Sequence, residues 1–299
     1  MTDKQLIKWV GGKTALLSHI IPHLQGAGRL LEPFFGSGAI AGGFTDKPGF
    51  YIAADINPVL IKVHELVVKK DPKFIQGINA WFTAYRDAPE EGEQKEADIV
   101  GHTMIACSRI SRAAVYYCAR LLYNEMGVCT EKAALFVFLN RTCFRGLWRE
   151  NKAGNMNVPF GHYKPGTAEV GDDEINAAAE RFTGIQLEVS DFETFLLKYK
   201  PALGDVVYCD PPYWAPEGGI FASYDKSGFG RKETERLLEL LLVAHRRGAK
   251  VVLSNAPSDW LRDWCRAAGG EYTTISTRRR IKSKGAHDME DNEAIVVLG

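Results

Sequence analysis

A strand, a glycine-rich turn and a second strand ending in an acid constrain the fold of this chain most strongly. Leu30 to Pro33 predicts a short strand, and residues 34–38 follow it as a turn before a predicted helical run from Ala39. Tyr51 to Asp55 predicts the second strand, and the apolar spacing from Asn57 to Lys69 predicts a helix capped by its first residue. This order is typical of the front half of a nucleotide-binding α/β fold.

The middle of the chain has a different pattern. From Pro72 to about Cys143 the apolar spacing is helical and strand signals are almost absent. Within this region, an acidic, polar stretch at 88–98 predicts a solvated loop. Residues 148–163 predict a hairpin or extended loop. We therefore predict one α/β domain made of residues 1–70 and 171–299, with a mainly helical insertion at 71–170 that carries a basic hairpin at about 141–164.

The alternation of helices and strands resumes after the insertion. Predicted helices lie at 173–183, 192–199, 231–247 and 258–268, and predicted strands at 185–189, 205–209, 249–254, 272–276 and 293–298.

Asp210-Pro211-Pro212-Tyr213 directly follows the predicted strand at 205–209. The four residues would lie where a strand ends and a loop opens, which is the edge of an open α/β sheet where ligands bind. A carboxylate and a rigid backbone carbonyl can accept hydrogen bonds from an amino group, and an aromatic ring can stack on a flat ligand. A strand that simply ends in a proline turn explains the same residues, so the tetrapeptide alone leaves both interpretations open.

The glycine-rich turn and Asp55 favour a bound nucleoside. Gly36 and Gly38 permit a positive φ and close approach of the backbone, although a tight turn would use them as well. Asp55 can accept both hydroxyls of a ribose. Ala41 occupies the third glycine position of the phosphate-binding pattern, so the predicted cofactor carries a ribose but need not carry a phosphate. S-adenosylmethionine fits that description.

Composition and charge narrow the class of protein. The chain is 45% hydrophobic and 25% charged, as in ordinary soluble globular proteins. Its formal net charge is zero, which argues weakly against a dedicated nucleic-acid binder and leaves local charge to decide. The cysteines form no Cys-x-x-Cys pair and the histidines no ligand cluster, so we expect no metal. Without an apolar signal region or a long apolar stretch, we expect a cytosolic protein with no membrane segment.

Motifs along almost the whole chain resemble those of the Dam-type DNA N6-adenine methyltransferases, the alpha group of the D12 class. The main ones, in order, are Lys8-Trp9-Val10-Gly11-Gly12-Lys13, Glu32-Pro33-Phe34-Phe35-Gly36-Ser37-Gly38, Ala54-Asp55-Ile56-Asn57 and Asp210-Pro211-Pro212-Tyr213. Shorter matches lie at 138–141, 157–164, 221–224, 253–255 and 279–283.

The resemblance implies an S-adenosylmethionine-dependent methyltransferase with a Rossmann-like, seven-stranded mixed sheet and an inserted helical target-recognition domain. It implies site-specific methylation of N6 of an adenine that is flipped out of double-stranded DNA. Asp55 is then expected at the cofactor ribose, and Asp191 with Phe192 at the cofactor adenine. The full set of expected cofactor residues is Trp9, Lys13, Phe35, Gly36, Gly38, Asp55, Asp191, Phe192 and Asp210.

The implied reaction explains the composition of the tetrapeptide. The N6 amine of adenine is a poor nucleophile because its lone pair is delocalised into the ring. If the Asp210 carboxylate and the Pro211 carbonyl accept its two N–H bonds, the lone pair can face the methyl group, so catalysis is mainly positioning and electrostatics. Tyr213 would stack on the adenine, and Pro212 completes the expected catalytic set. Cytosine C5 methylation is disfavoured, because its nucleophile is commonly a cysteine that follows a proline and no cysteine here does so.

Two basic runs are the predicted DNA contacts. Basic residues outnumber acidic ones from residue 141 to 164, where aromatic residues are interleaved, and a second basic run lies near the end of the chain. A basic loop is usually a solvated face, but two runs in a neutral protein favour phosphate contacts. The expected DNA-binding residues are Arg141, Arg145, Leu147, Arg149, Lys152, His162, Lys164, Arg279, Arg280 and Lys282.

The residues expected to read the target sequence depart from the family pattern. Relatives that read GATC typically carry Tyr-Asn-Gly-Leu-Cys-Arg where this chain has Phe-Arg-Gly-Leu-Trp-Arg at 144–149. Arg149 could read a guanine edge, but Arg145 replaces an asparagine and His162 replaces an arginine. We therefore expect a shorter or relaxed adenine-containing site and a monomer or weak dimer. RNA adenine methylation and non-catalytic DNA binding on the same scaffold are the alternatives.

Overall fold

The structure is a computed structural model that describes residues 5–9, 11–90, 96–164, 166–214, 229–277 and 291–299. The chain forms two compact units, each assembled from separate stretches. Unit 1 comprises Met1–Gly12, Gly36–Gly38 and Asn57–Thr183, and unit 2 comprises Lys13–Phe35, Ala39–Ile56 and Gly184–Gly299. Compactness does not show which residues act together in function, so the predicted domain boundaries stay a prediction.

Unit 2 contains a seven-stranded mixed sheet in the described part of the chain, which confirms the predicted fold class. The strand order is β3-β2-β1-β4-β5-β7-β6; β1 to β5 run parallel, and β7 is antiparallel to both β5 and β6. The strands are β1 Arg29–Glu32, β2 Phe50–Asp55, β3 Ile185–Val189, β4 Asp205–Cys209, β5 Lys250–Asn255, β6 Glu271–Thr277 and β7 Asp291–Leu298.

Five of the described helices lie at predicted positions: those at Pro58–Val68, Asp172–Phe182, Phe192–Tyr199, Arg231–Arg246 and Asp259–Ala267. The described helices of unit 1 are α2 to α7, and those of unit 2 are α1 and α8 to α10. Their bounds are α1 Leu17–Leu24, α2 Pro58–Val68, α3 Pro72–Asp87, α4 Met104–Ser108, α5 Arg112–Glu125, α6 Thr130–Thr142, α7 Asp172–Phe182, α8 Phe192–Tyr199, α9 Arg231–Arg246 and α10 Asp259–Ala267.

The core of unit 2 lies between the sheet and the helices of that unit. Leu31 of β1 and Val207 of β4 are fully buried, as is Leu241 of α9. Central parallel strands are covered on both faces, which explains why the sequence shows them as continuous apolar runs rather than alternating ones.

The core of unit 1 is rich in aromatic side chains. The ring of Phe138 on α6 lies 5.3 Å from that of Phe82 and 5.9 Å from that of Tyr85, both on α3. Helix α6 is buried on all faces from Ala133 to its end at Thr142. A helix that is enclosed in this way buries its polar side chains too, and they need partners within the protein.

Two local predictions need correction. The helix predicted from Ala39 is only a 3-10 turn, Ile40–Gly43, because two glycines follow each other and a Cβ at Gly43 would lie 2.6 Å from the Ile21 side chain. The stretch predicted as a loop at 88–98 ends in another 3-10 turn, Glu96–Ile99, whose last residue is 1% exposed. That buried isoleucine anchors the turn, which the acidic composition did not indicate.

Candidate active site

The carboxyl ends of the parallel strands form the edge of the sheet on which the predicted residues of unit 2 converge. Strand β1 pairs with β2 on one side and β4 on the other, so the chain order reverses between β1 and β4. Ligands of open α/β sheets bind at this switch point. Asp55 is the last residue of β2, Asp210 directly follows β4, and Asp191 lies just beyond β3.

Asp210 belongs to a compact group of four polar side chains. The Lys13 Nζ atom lies 2.9 Å from Asp210 Oδ2 and 3.4 Å from Glu293 Oε1. The Tyr213 hydroxyl lies 3.1 Å from Asp210 Oδ1 and is also hydrogen-bonded to Glu293 Oε1. The Asp210 side chain keeps 20% of its exposure, against 5% for Lys13, so the carboxylate can be reached by a ligand.

Burial and the neighbouring opposite charges shift the pKa values of this group in opposite directions. Burial raises the pKa of Asp210, and the Lys13 ammonium opposes part of that rise. Burial likewise raises the pKa of Glu293. For Lys13, burial alone would lower the pKa, but the two carboxylates outweigh it and the pKa is raised. Lys13 therefore stays an ammonium at neutral pH, shared between two acids.

A second buried acid lies on β1. Glu32 is 2% exposed and accepts a hydrogen bond from the Tyr51 hydroxyl of β2. Burial raises the pKa of Glu32 well above its ordinary value, the Tyr51 bond opposes that rise, and the charges of Asp210 and Asp55 add to it. The sequence contained a signal for this pair, because a glutamate inside an apolar strand needs a buried partner.

An aromatic cluster in unit 2 lies next to the predicted cofactor residues. The ring of Phe192 stacks on Phe34, with centroids 5.7 Å apart and planes 23° apart, and Phe229 meets both rings edge-on. Phe35, by contrast, is 2% exposed and packs its ring against Tyr51. The structure therefore favours Phe34 over the predicted Phe35 side chain as a ring that a ligand can touch.

The carboxylates at the ends of β2 and β3 have different surroundings. The backbone carbonyl of Asp55 accepts the N–H of Ser190, and the Asp55 side chain is partly exposed. Asp191 caps α8: its two oxygens accept from the Thr194 N–H at 2.9 Å and the Thr194 hydroxyl at 2.7 Å. Burial would raise the Asp191 pKa, but these bonds outweigh it and lower the pKa. Helix capping accounts for Asp191 as well as the predicted adenine contact does.

Pro211 and Pro212 follow Asp210 in opposite environments. Pro211 is buried, whereas Pro212 is exposed. Because neither residue has a backbone N–H, the loop that leaves β4 has only carbonyl groups at these positions.

The remaining cofactor predictions lie in unit 1, where Trp9 packs against the glycine-rich turn. Gly36 has a φ of 51° and Gly38 a φ of 69°, conformations in which glycine is unstrained. A Cβ at Gly36 would lie 3.1 Å from two atoms of the Trp9 indole. The Gly36 carbonyl also accepts a hydrogen bond from His64 Nε2 at 2.8 Å, and burial lowers the pKa of that histidine to about 4.

The basic segment at 141–164 forms an irregular hairpin in unit 1. Isolated bridges join Cys143 to Phe160 and Glu150 to Met156. Leu147 is partly buried. The exposed residues predicted to bind DNA are Arg145, Arg149, Lys152, His162 and Lys164. The predicted contacts Arg279, Arg280 and Lys282 lie outside the described residues, as does the matching stretch at 221–224.

Arg141 has a different environment from the other predicted DNA contacts. It is 4% exposed, and its guanidinium donates hydrogen bonds to the backbone carbonyls of Gln5, Ala168 and Glu169 at 2.8, 3.0 and 3.3 Å. Because α6 is enclosed to its end, these carbonyls take the place of water. These contacts favour a structural role for Arg141 over the predicted phosphate contact.

Comparison with known proteins places this chain in a family. Residues 9–281 match the D12 class N6 adenine-specific DNA methyltransferases. The chain belongs to this family. It is 31% identical to the Retron Ec67 DNA adenine methylase of Escherichia coli, covering 98% of this chain and 91% of that protein. It is 32% identical to the DNA adenine methylase of Vibrio cholerae and 28% identical to that of Escherichia coli K12, in each case over 99% of this chain, with 96% and 95% of those proteins covered.

Membership of this family confirms the resemblance inferred from the motifs. It shows that the chain is an adenine-specific methyltransferase whose substrate is DNA. A methyltransferase of this family requires a methyl donor. Within the described ranges, no helix is long and apolar enough to cross a membrane, and no group of three or more His, Cys, Asp or Glu side chains is placed to hold a metal ion.

Proposed function

We propose that this D12 methyltransferase transfers the methyl group of S-adenosylmethionine to N6 of an adenine flipped out of duplex DNA. The observation that carries the proposal is the Asp210 carboxylate, which follows β4 at the switch point of the sheet. It is held by a buried ammonium and retains partial exposure. A carboxylate fixed in this way can accept a hydrogen bond from an exocyclic amine without first being reorganised.

The residues present fit the proposed donor. Its adenosine would find a ribose-hydroxyl acceptor in Asp55 and flat apolar surfaces in Phe34 and Phe192 of unit 2. When bound, S-adenosylmethionine supplies an electrophilic methyl group on a positively charged sulfur. With Lys13 charged and both nearby carboxylates ionised, the four-residue group carries a net charge of −1, which favours a cationic ligand. In unit 1, the turn at Gly36 excludes a Cβ, and Trp9, Gly36 and Gly38 stay predicted cofactor residues.

The chain's own groups would orient the amine rather than deprotonate it. Asp210 and the Pro211 carbonyl accept its two N–H bonds, so the nitrogen lone pair faces the methyl group. The amine becomes more acidic as the new bond forms, so it can release its proton to Asp210 or to water afterwards and no strong base is needed. The Tyr213 ring would stack on the adenine, which has to leave the duplex to reach this corner.

The exposed basic residues of the hairpin are the proposed DNA contacts. Lys152 and Lys164 are exposed and can reach phosphates, and Arg145 is exposed at the position where GATC-reading relatives typically carry an asparagine. The Arg149 guanidinium is directed by a 2.9 Å hydrogen bond to Asn157 Oδ1. An arginine oriented by a neighbour is suited to bidentate contact with a guanine edge. We therefore propose that Arg149 contributes to target choice and that the site is not restricted to GATC.

Methyl transfer from tritiated S-adenosylmethionine tests the function directly. The purified protein is incubated with unmethylated duplex DNA, single-stranded DNA and RNA of the same sequence, and the product is digested and identified as N6-methyladenine or otherwise. We expect label in duplex DNA at N6 and its loss in Asp210→Ala. Asp259→Ala, which removes an exposed carboxylate far along the chain on α10, is the matched control and should retain activity.

Each other outcome contradicts part of the proposal. Preferential labelling of RNA would favour the RNA methyltransferase alternative. Absence of labelling in every nucleic acid, with DNA binding unchanged by Asp210→Ala, would support a non-catalytic DNA-binding protein. Sequencing of N6-methyladenine positions after expression in an unmethylated host would then give the target sequence.

A further inference from the structure

Glu293 lies at the catalytic corner although it is far from Asp210 in the sequence. Strand β7 runs antiparallel to β5, with Ala294 opposite Asn255, so the start of β7 lies at the carboxyl end of the parallel strands. This arrangement brings the Glu293 carboxylate to the Tyr213 hydroxyl and within 3.4 Å of Lys13 Nζ. Sequence motifs did not indicate a role for this residue.

The Tyr213 hydroxyl can donate its hydrogen to only one strong acceptor. A phenolic hydroxyl has a single hydrogen, yet the Tyr213 oxygen faces two carboxylates, Asp210 and Glu293. Both Glu293 Oε1 and Asp210 Oδ1, the latter 3.1 Å away, are within hydrogen-bonding reach of that oxygen. If the hydrogen is directed to Glu293, Asp210 Oδ1 keeps its lone pairs for another donor. If it is directed to Asp210, that oxygen is already engaged.

We propose that Glu293 is a positioning residue for methyl transfer: it accepts the Tyr213 hydroxyl hydrogen and shares the Lys13 ammonium, and so leaves Asp210 Oδ1 free to accept from the substrate amine. The inference rests on the proposed function, in which Asp210 binds that amine. Glu293 also fixes the Tyr213 ring, whose face lies 5.1 Å from Lys13 Nζ. Neither effect requires Glu293 to touch the adenine or the donor.

The charges around Glu293 determine the expected pH dependence. Within the described residues, the titratable groups that face Glu293 or its partner Asp210 are Lys13, Tyr208, Cys209, Asp210 and Tyr213, with Glu32 acting on Asp210 from β1. The negative charges of Glu293 and Asp210 repel each other, which raises the pKa of Glu293. Removing the Glu293 charge should lower the pKa of Asp210 by the same repulsion. Redirecting the Tyr213 hydrogen to Asp210 should lower the pKa of Asp210 further.

The first experiment compares Glu293→Gln with the wild type in single-turnover methyl transfer at saturating DNA and S-adenosylmethionine, from pH 5 to pH 9. We expect the rate at pH 7.5 to fall about tenfold, the loss expected when a charge-assisted contact to the reacting group is occupied by a competitor. Substrate affinities should change little. The acid limb of the rate profile should shift to lower pH. Glu271→Gln, an exposed glutamate on the neighbouring β6, is the matched control and should change neither rate nor profile.

A double-mutant cycle with Tyr213→Phe separates positioning from a general structural role. Tyr213→Phe has no phenolic hydrogen for Glu293 to accept. Glu293→Gln should therefore lower the methyl-transfer rate much less in the Tyr213→Phe background than in the wild type. Equal losses in both backgrounds would overturn the proposal. A fall in rate with an unchanged acid limb, or one that shifts to higher pH, would overturn it as well.

A measurement that needs no activity distinguishes failure of this inference from failure of the proposed function. The tyrosine Cζ carbons are labelled with 13C, and the Tyr213 resonance is assigned by its loss in Tyr213→Phe. We expect Glu293→Gln to move this resonance and Glu271→Gln to leave it in place. A Tyr213 resonance that is unaffected by Glu293→Gln refutes the hydrogen bond itself, whether or not the wild type methylates adenine.

Discussion

Replacing Lys13 by methionine removes the cation that two buried carboxylates share. The distances of 2.9 and 3.4 Å from Nζ to Asp210 and Glu293 correspond to attractions of about 6 and 5 kcal/mol at an effective dielectric constant of about 20. Desolvation of the ammonium offsets several kcal/mol of that sum. Because the variant leaves two buried acids without a counter-charge, we expect Lys13→Met to lower the free energy of unfolding by about 3–5 kcal/mol at pH 8.

The pH dependence of this loss follows from proton linkage. In Lys13→Met the pKa values of Asp210 and Glu293 should rise further above their unfolded values, so the folded state holds protons that the unfolded state has released. Stability then falls as pH rises, and the fall continues until both folded pKa values have been passed. The difference from the wild type should therefore be smallest at the acid end of the range and grow toward pH 8.

Urea denaturation of the two proteins at pH 5, 6, 7 and 8 measures the effect. Lys62→Met is the matched control, because Lys62 is partly exposed and its ion pair with Glu65 is 3.8 Å long; we expect it to cost less than about 1 kcal/mol at every pH. Glu293→Gln should stabilise Lys13→Met, because it removes one of the two uncompensated charges. A Lys13→Met variant as stable as Lys62→Met, or one whose stability rises with pH, would refute the reasoning.

Four further substitutions test separate parts of the structure. Gly36→Ala adds a Cβ 3.1 Å from the neighbouring indole at a φ of 51°. Calorimetry should therefore show a larger loss of stability than for the control Gly26→Ala, whose φ of 75° carries strain of about 1–2 kcal/mol but whose Cβ would have no contact within 4 Å. Equal losses of stability would exclude the indole contact. Arg141→Ala should lower the free energy of unfolding by about 3 kcal/mol or more and leave the salt dependence of DNA binding unchanged, because its bonds go to backbone carbonyls. Lys152→Ala should do the reverse, with unchanged stability and a salt slope smaller by about one, and an unchanged slope would remove it from the DNA interface. Arg145→Asn should raise stability by about 0.5–1 kcal/mol and change the set of methylated sites, which unfolding and sequencing would measure.

The corner at Asp210 could be predicted because all of its signals are local. An apolar run predicts a buried strand, the acid that follows it must lie at the carboxyl end, and parallel strands share that edge. The same reasoning placed Asp55 correctly at the end of β2. Glu293 could not be found in this way, because its strand returns antiparallel from the end of the chain and local spacing carries no information on which strand pairs with which.

Two further differences between prediction and structure have a common cause. The glycine-rich motif suggested Phe35, but the backbone after β1 directs Phe35 into the core and leaves Phe34 partly exposed. A positive count of charges suggested Arg141, but α6 is buried on every face from Ala133 onward, including the last turn, which carries Arg141. In both cases burial determines what the side chain can contact, and neither a motif nor a charge count carries information on burial.

Two of the residues at which this chain departs from the pattern of GATC-reading relatives hold unusual backbone conformations. Arg145 has a φ of 56° and His162 a φ of 52°, in the left-handed region that costs a residue with a Cβ about 1–2 kcal/mol. The two arms of the hairpin are tied by hydrogen bonds from Phe144 N–H to the Pro159 carbonyl at 2.8 Å and from Gly161 N–H to the Thr142 carbonyl at 2.9 Å. Pairing of the arms therefore sets these conformations. An asparagine accommodates the same φ with less strain, so Arg145→Asn should keep the hairpin and change only the group it presents. If target choice is unaffected while stability rises, the guanidinium of Arg145 does not take part in reading DNA.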